Sequence, residues 1–204
     1  ARGFGSSTDT ITFVESNSSG NIVFEAVFPA SQSQFFSASY TVDIHVFEPA
    51  SYHFYTVQII TVNGDLHVSG ISATSVSLTV TNGGITATGI TAATLAATDT
   101  NGSISLTCAS CSAATVLTTN GSITTNLQSV ATGGSYLLQS TNGNVNLTLP
   151  VAASCTITAN TTNGSVSSSG LGVQVTNHAA VTLGTGTATV NLKTTNGSII
   201  VTGQ

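Results

Sequence analysis

Ala97-Thr98-Asp99-Thr100-Asn101-Gly102-Ser103-Ile104-Ser105-Leu106 is followed 19 residues on by Val116-Leu117-Thr118-Thr119-Asn120-Gly121-Ser122-Ile123-Thr124-Thr125. The two segments share an Asn-Gly pair, an apolar residue four positions before the Asn and an Ile three positions after it. Working outward, the pair recurs at Asn63, Asn82, Asn101 and Asn120, three equal steps of 19 residues, and returns at Asn142, Asn163 and Asn196. A fixed period of that length marks one supersecondary unit stacked on itself.

Aligned on the Asn, the units place apolar residues in fixed columns. Four positions before it stand Ile59, Leu78, Ala97, Val116, Leu138, Ala159 and Leu192; six before stand Val57, Val76, Leu95, Ala114, Tyr136, Ile157 and Val190. Three after come Leu66, Ile85, Ile104, Ile123, Val145, Val166 and Ile199. Between them lie mostly Thr, Ser, Asn and Gln, which is period two on both sides of a turn: strand, turn, strand with one buried face. Asn-Gly suits the turn because both residues tolerate positive φ. A hairpin meander carries the same pair, but it has no reason to repeat at constant spacing with the same columns apolar. A solenoid does, because identical columns of successive coils stack at about 4.8 Å per rung into one internal ladder.

The expected fold is all-β: a β-solenoid of the single-stranded β-helix type over residues 56–204, with about seven coils. The wider steps around Asn142 and before Asn196 fit insertions on the outside of a coil, the last holding Asn177 and His178. Residues 1–55 differ, carrying all eight Phe and most of the charges. Thr10-Ile11-Thr12-Phe13-Val14 and Ile22-Val23-Phe24-Glu25-Ala26-Val27-Phe28 read as a hairpin. An open solenoid end is an unpaired strand edge over an exposed core, so this aromatic block is expected to be an N-terminal β cap or an assembly region. At the other end the last unit runs to within a residue of Gln204. Either residues 171–189 cover it, or its edge is left for another molecule, with residues 1–8 as a candidate donated strand.

Only 4% of the chain is charged, where about a quarter is usual. From Thr56 onward the ionisable acids and bases other than His are Asp65, Asp99 and Lys193, so the solvated faces must be neutral hydrogen-bonding surfaces. Few carboxylates are present to protonate, and stability is expected to change little with pH. A net charge of −5 with two basic residues gives no footprint for nucleic acid or anionic lipid. No run has the apolar length of a membrane span. The start at Ala1, without Met, is consistent with a removed signal peptide, and the expected location is secreted, extracellular or cell-surface.

Seven N-x-[ST] sequons, at Asn17, Asn101, Asn120, Asn146, Asn160, Asn163 and Asn196, are glycosylation candidates in that compartment, although an Asn-, Ser- and Thr-rich chain also makes sequons by chance. Cys108-Ala-Ser-Cys111 lacks the context of a redox motif and the second ligand pair of a zinc site. A short disulfide closing the loop between two coils is expected there, with Cys155 a small core residue.

The units Thr61-Val62-Asn63-Gly64-Asp65-Leu66-His67-Val68-Ser69-Gly70 and Lys193-Thr194-Thr195-Asn196-Gly197-Ser198-Ile199-Ile200-Val201 resemble the T-x-N-G-x-I-x-V repeats of prokaryotic adhesin β-solenoid domains. The resemblance covers about residues 40–204. It implies a secreted or surface β-helical domain with no catalytic residues to carry over. The chain departs from that family in its scarcity of Asp and Glu at the turns.

No catalytic, cofactor-binding or metal-binding set emerges. His45, His53, His67 and His178 lack ligand spacing, Asp65 and Asp99 stand on opposite sides of their turns, and no nucleophile elbow or phosphate loop is present. A Thr-x-Thr ladder before the Asn, of the kind that orders water or meets polysaccharide, fails after Thr79/Thr81 and Thr98/Thr100. The expected function is a non-enzymatic surface protein that self-associates head to tail into a filament or layer through strand addition. The alternative is a monomeric adhesin binding glycan or another surface.

Overall fold

A computed structural model describes residues 54–204 in full and, before them, the two strands at 12–18 and 21–27. The chain divides into two compact units, Ala1–Pro49 and Ala50–Gln204. In the first, β1 (Thr12–Ser18) and β2 (Asn21–Val27) pair antiparallel from Thr12↔Val27 to Ser18↔Asn21, the hairpin the sequence pattern predicts. The capping role expected of residues 1–55 falls largely on residues outside those described.

The second unit is built from strands alone among the described residues. In chain order they are β3 (Phe54–Asn63), β4 (Leu66–Ser69), β5 (Ser72–Asn82), β6 (Ile85–Asn101), β7 (Ile104–Asn120), β8 (Ile123–Leu127) and β9 (Ser135–Asn142). There follow β10 (Val145–Leu149), β11 (Cys155–Asn163), β12 (Val166–Ser169), β13 (Ala180–Leu183), β14 (Ala188–Asn196) and β15 (Ile199–Gly203). They form one 13-stranded sheet, parallel throughout except for β13 against β11, and the architecture is β-solenoid-like. The 17-residue strands β6 and β7 each run from one Asn-Gly corner to the next. Their register shifts at Ala87/Ile90 and Ile90/Thr91, where Gly89 takes φ 64°. Gly supplies that left-handed residue without Cβ strain.

Inside, the columns stack as the period requires. Ile85 lies opposite Ile104 and Ile104 opposite Ile123, all at most 1% exposed. Each such side chain taken from water contributes roughly 1.5–3 kcal/mol, so a mostly aliphatic core of Val, Ile, Leu and Ala suffices without a helix layer. Tyr136 is the one large aromatic in the described core. It is fully buried, its hydroxyl donating to the Cys111 carbonyl at 2.6 Å and accepting from the Ala131 N–H at 3.0 Å.

Spatial order departs from chain order at the far end. β14 pairs with β9 on one side and β11 on the other, and β15 lies between β10 and β12. The unit of Asn196 is thus wedged between those of Asn142 and Asn163. This overturns the expectation that the last repeat forms an open end. The outer side of β11 is covered by β13, by the Asn177 side chain, which accepts from the Thr161 N–H and donates to the Thr161 carbonyl, and by the His178 N–H on the Ala159 carbonyl. Leu171, Val175 and Leu183 are buried there. A coil with apolar columns and two ladder edges satisfies more of its backbone groups between two coils than at an end. The insertion after Asn163 therefore caps the sheet, rather than decorating the outside of a coil.

Candidate functional site

The corners form one continuous file. Each Asn amide donates to the previous rung's Asn Oδ1: Asn82 to Asn63, Asn101 to Asn82, Asn120 to Asn101, Asn142 to Asn120, Asn196 to Asn142 and Asn163 to Asn196, all at 2.8–2.9 Å. The backbone bonds run the other way: the N–H groups of Gly64, Gly121, Gly143 and Gly197 donate to the Asn carbonyl of the following rung. The two sets of hydrogen bonds thus point in opposite senses along the file.

Only the Asn half of the expected positive-φ turn is absent. No Asn takes positive φ; the Asn ends a strand, and among the described non-glycine residues only His178 has positive φ, at 62°. The Gly half of the expectation holds at Gly64, Gly83, Gly143 and Gly197, with φ 113°, 142°, 157° and 158°, and proximity adds a second demand. A Cβ on Gly83, Gly102, Gly121, Gly143, Gly197 or Gly164 would fall within 3.0 Å of the carbonyl oxygen of the Gly one rung away. Parallel stacking brings the corner backbones closer than any side chain permits.

Two further ladders flank the corner. Two positions before the Asn, the hydroxyls of Thr118, Ser140, Thr194 and Thr161 donate to the carbonyls of Gly102, Gly121, Gly143 and Gly197 at 2.7–2.9 Å. Two positions after it, Asp65, Ser103, Ser122, Asn144 and Ser198 accept the N–H of the next rung. Asp65 thus does an acceptor's work. Asp99 stands in the donor column instead: its Oδ1 accepts from the Asn101 N–H at 3.0 Å, while its buried Oδ2 has no partner. Burial pushes its carboxyl above the ordinary carboxylate range, outweighing the backbone N–H groups of Asn101 and Thr100 that favour the anion, and Asp65 adds a small push in the same direction as burial. At the corner, Asp99 Oδ2 and the Gly83 carbonyl crowd the same point, the place of a Gly102 Cβ.

The outward face after the corner is the most regular polar surface. Four positions after the Asn, His67, Thr86, Ser105, Thr124, Asn146, Ile200 and Ser167 are consecutive neighbours. Six positions after it, Thr107, Asn126, Thr148, Thr202 and Ser169 are likewise neighbours, and Ser69 faces Thr88. Every one is at least partly exposed. The result is a two-column array, hydroxyls and amides except for His67 and Ile200, at about 4.8 Å between rungs and about 6.6 Å along each strand. Unlike the Thr-x-Thr pattern before the Asn, these columns continue from rung to rung. The signal was present in Thr86-Ala87-Thr88, Ser105-Leu106-Thr107 and Asn146-Leu147-Thr148, but only the order of rungs aligns Thr202 beside Thr148 and Ser169.

Cys108 and Cys111 are joined in a disulfide, placed within β7 at the bend rather than in a loop between coils. Both sulfurs lie against the Ile90 carbonyl, at 3.6 and 3.8 Å. Cys155 is a free thiol, buried, and burial pushes its pKa up. Of the sequons, Asn101, Asn120, Asn163 and Asn196 stand in the amide file, each with one N–H committed. Asn101 and Asn120 are on adjacent rungs, as are Asn163 and Asn196, too close for two glycans at about 4.8 Å. Asn160 faces outward with its Oδ1 3.1 Å from His178 Nδ1, Asn146 reaches Thr124, and the side chain of Asn17 is outside those described. His45 and His53 also lie outside the described residues. A polar hollow of about 220 Å³ is lined by Gln139, Asn160, Lys193, His178 and neighbouring Thr and Ser residues. No group of three or more His, Cys, Asp or Glu stands together among the described residues, and no helix is long and apolar enough to cross a membrane.

No curated protein and no solved structure is significantly similar to the chain. Residues 7–202 match the Toastrack DUF4097 family, nearly the whole of the repeat array and the hairpin before it. With its stacked Asn-Gly corners and β-solenoid-like sheet, the chain belongs to the Toastrack DUF4097 family.

Proposed function

We propose that the protein is a secreted or cell-surface structural protein that works as an adhesin, presenting the array after the corners to an uncharged polysaccharide. The observation that carries this reading is the array itself: hydroxyls and amides, each both donor and acceptor, at fixed spacing, interrupted in the first column by Ile200, on a face whose only titratable group is His67. A neutral sugar chain offers the matching hydroxyl edges, whereas a charged partner would find nothing to pair with. Aliphatic columns behind the array hold it rigid, which lowers the ordering cost of binding. Glycosylation of the protein itself, where it occurs, fits Asn17, Asn146 and Asn160 better than the amide file.

The test is co-sedimentation of the full chain with insoluble cellulose and chitin, comparing wild type with Thr124→Glu/Thr148→Glu. The expected result is binding that survives high salt and falls at least about tenfold in the variant, since a desolvated, unmatched carboxylate costs over 1.4 kcal/mol. Absence of binding to both solids, or equal binding by the variant, would sink the reading.

Self-association into a filament or layer is a second reading. β3 pairs only with β5 among the described residues, and its outward Tyr55, Ile60 and Val62 are 80%, 63% and 60% exposed. An edge of that kind accepts a strand from another copy. Joining would run through this end alone, since the other is covered by residues 171–183.

A further inference from the structure

The coil formed by β14 and β15 separates two coils that are neighbours in sequence. Its side chains Val190, Leu192, Ile199 and Val201 are fully buried. It meets β9 and β10 on one wall, with Val190↔Tyr136, Leu192↔Leu138 and Ile199↔Val145. It meets β11 and β12 on the other, with Val190↔Ile157, Leu192↔Ala159 and Ile199↔Val166. The corner files are threaded through it: Asn196 donates to Asn142 and accepts from Asn163, and Thr194 and Thr161 bond Gly143 and Gly197 across its two sides.

The segment that delivers this coil is light. Gly184-Thr185-Gly186-Thr187 crosses from β13, on the outer edge of β11, to β14 on the inner edge, with both glycines at positive φ. Its hold on the body is polar and local, chiefly Thr185 and Thr187 on Ser154. No side chain of the segment belongs to the core. When the coil leaves, the two walls present matching columns and matching corners.

We propose that the coil of residues 188–204 is exchangeable between copies, entering the slot between the Asn142 and Asn163 coils of a second molecule and joining the two as a domain-swapped pair or chain. Every contact across the slot is the same whether the coil comes from its own chain or another, so the choice depends on concentration and on the hinge at residues 184–187. Reciprocal exchange closes a two-fold dimer, and one-way exchange propagates a chain. This stands on the order of the coils and is independent of association through β3.

The test uses full-length chains. Asn191 lies opposite Leu137 in the β14–β9 register and both point outward, within reach of a disulfide. In a Cys155→Ala background, Leu137→Cys on one preparation and Asn191→Cys on a heavier, isotope-labelled one are unfolded together without reductant, refolded at high concentration and oxidised. A parallel mixture pairs Thr115→Cys with Asn191→Cys, two outward positions that are not neighbours. Exchange predicts mixed-mass covalent dimers at least about tenfold above the parallel mixture, the advantage of a fixed neighbour over random encounter. Wild-type chains refolded the same way should give dimers or larger species that persist on dilution. Equal dimer in both mixtures, with wild type refolding as monomer only, overturns the proposal. Association through the β3 edge would raise both mixtures alike and so reads differently.

Discussion

Asp99 and Asp65 are the same residue type doing opposite work, and the difference lies in which column each occupies. After the corner the column needs an acceptor, and a carboxylate serves. Before the corner four rungs supply a hydroxyl donor to the previous Gly carbonyl, and a carboxylate cannot donate; a carboxylic acid can. The unpartnered Oδ2 and the upward pull of burial on the Asp99 pKa both favour the protonated form relative to a free carboxyl. Because the folded-state value is raised, the stabilisation is fully present below the ordinary carboxylate range and is lost as pH rises through that folded-state value. Wild type should therefore melt at lower temperature as pH goes from about 4 to about 8. Asp99→Thr should remove that slope and gain about 1–3 kcal/mol at the upper end, the cost of leaving a buried polar group unsatisfied. Parallel pH profiles for the two proteins would show that the proton is not held. The weak pH dependence expected from so few carboxylates thus has one identifiable exception.

At the scale of the strand, register decides everything, because a slip of one residue exchanges the buried and solvated faces. Ile104 and Ser105 are adjacent in β7, yet one is 1% exposed in the central column and the other is outward in the array. Ile104→Asp should lower stability by about 3 kcal/mol or more, the scale of an uncompensated buried charge. Ser105→Asp should change it by less than about 0.5 kcal/mol. Thermal or denaturant unfolding of the two variants measures this, and similar losses would mean the strand faces are misassigned. The columns around the Asn were legible because every unit repeats them. The disulfide pair was legible as a pair, but its place at the bend of β7 was not, since a long strand turning a corner leaves no break in the alternation.

For the molecule as a whole, scarcity of charge sets how it meets partners. Contacts between such surfaces have little to screen, so any association should be nearly insensitive to salt. If copies join through β3, Ile60→Lys/Val62→Lys should abolish it, because paired lysines on an edge strand oppose strand addition. Sedimentation of wild type and variant at high concentration, in low and high salt, reads this out. Identical sedimentation of the two proteins, or an association of wild type that salt dissolves, would count against the edge.

The sequence by itself determined the period, the inward columns and the all-β character, because alternation and Asn-Gly spacing are local properties that each unit restates. It also located the corner glycines and the positive φ that Gly64, Gly83, Gly143 and Gly197 take, but not the close approach of the next rung's backbone, which no single unit contains. Only the tertiary structure decided the order of the coils. The units of Asn142, Asn163 and Asn196 carry nearly interchangeable columns, so their sequences do not distinguish a sequential stack from an interleaved one. The choice falls to the insertion after Asn163, which covers one edge of its own coil through Asn177, Leu171, Val175 and Leu183 and leaves the slot on its other side for the coil that follows.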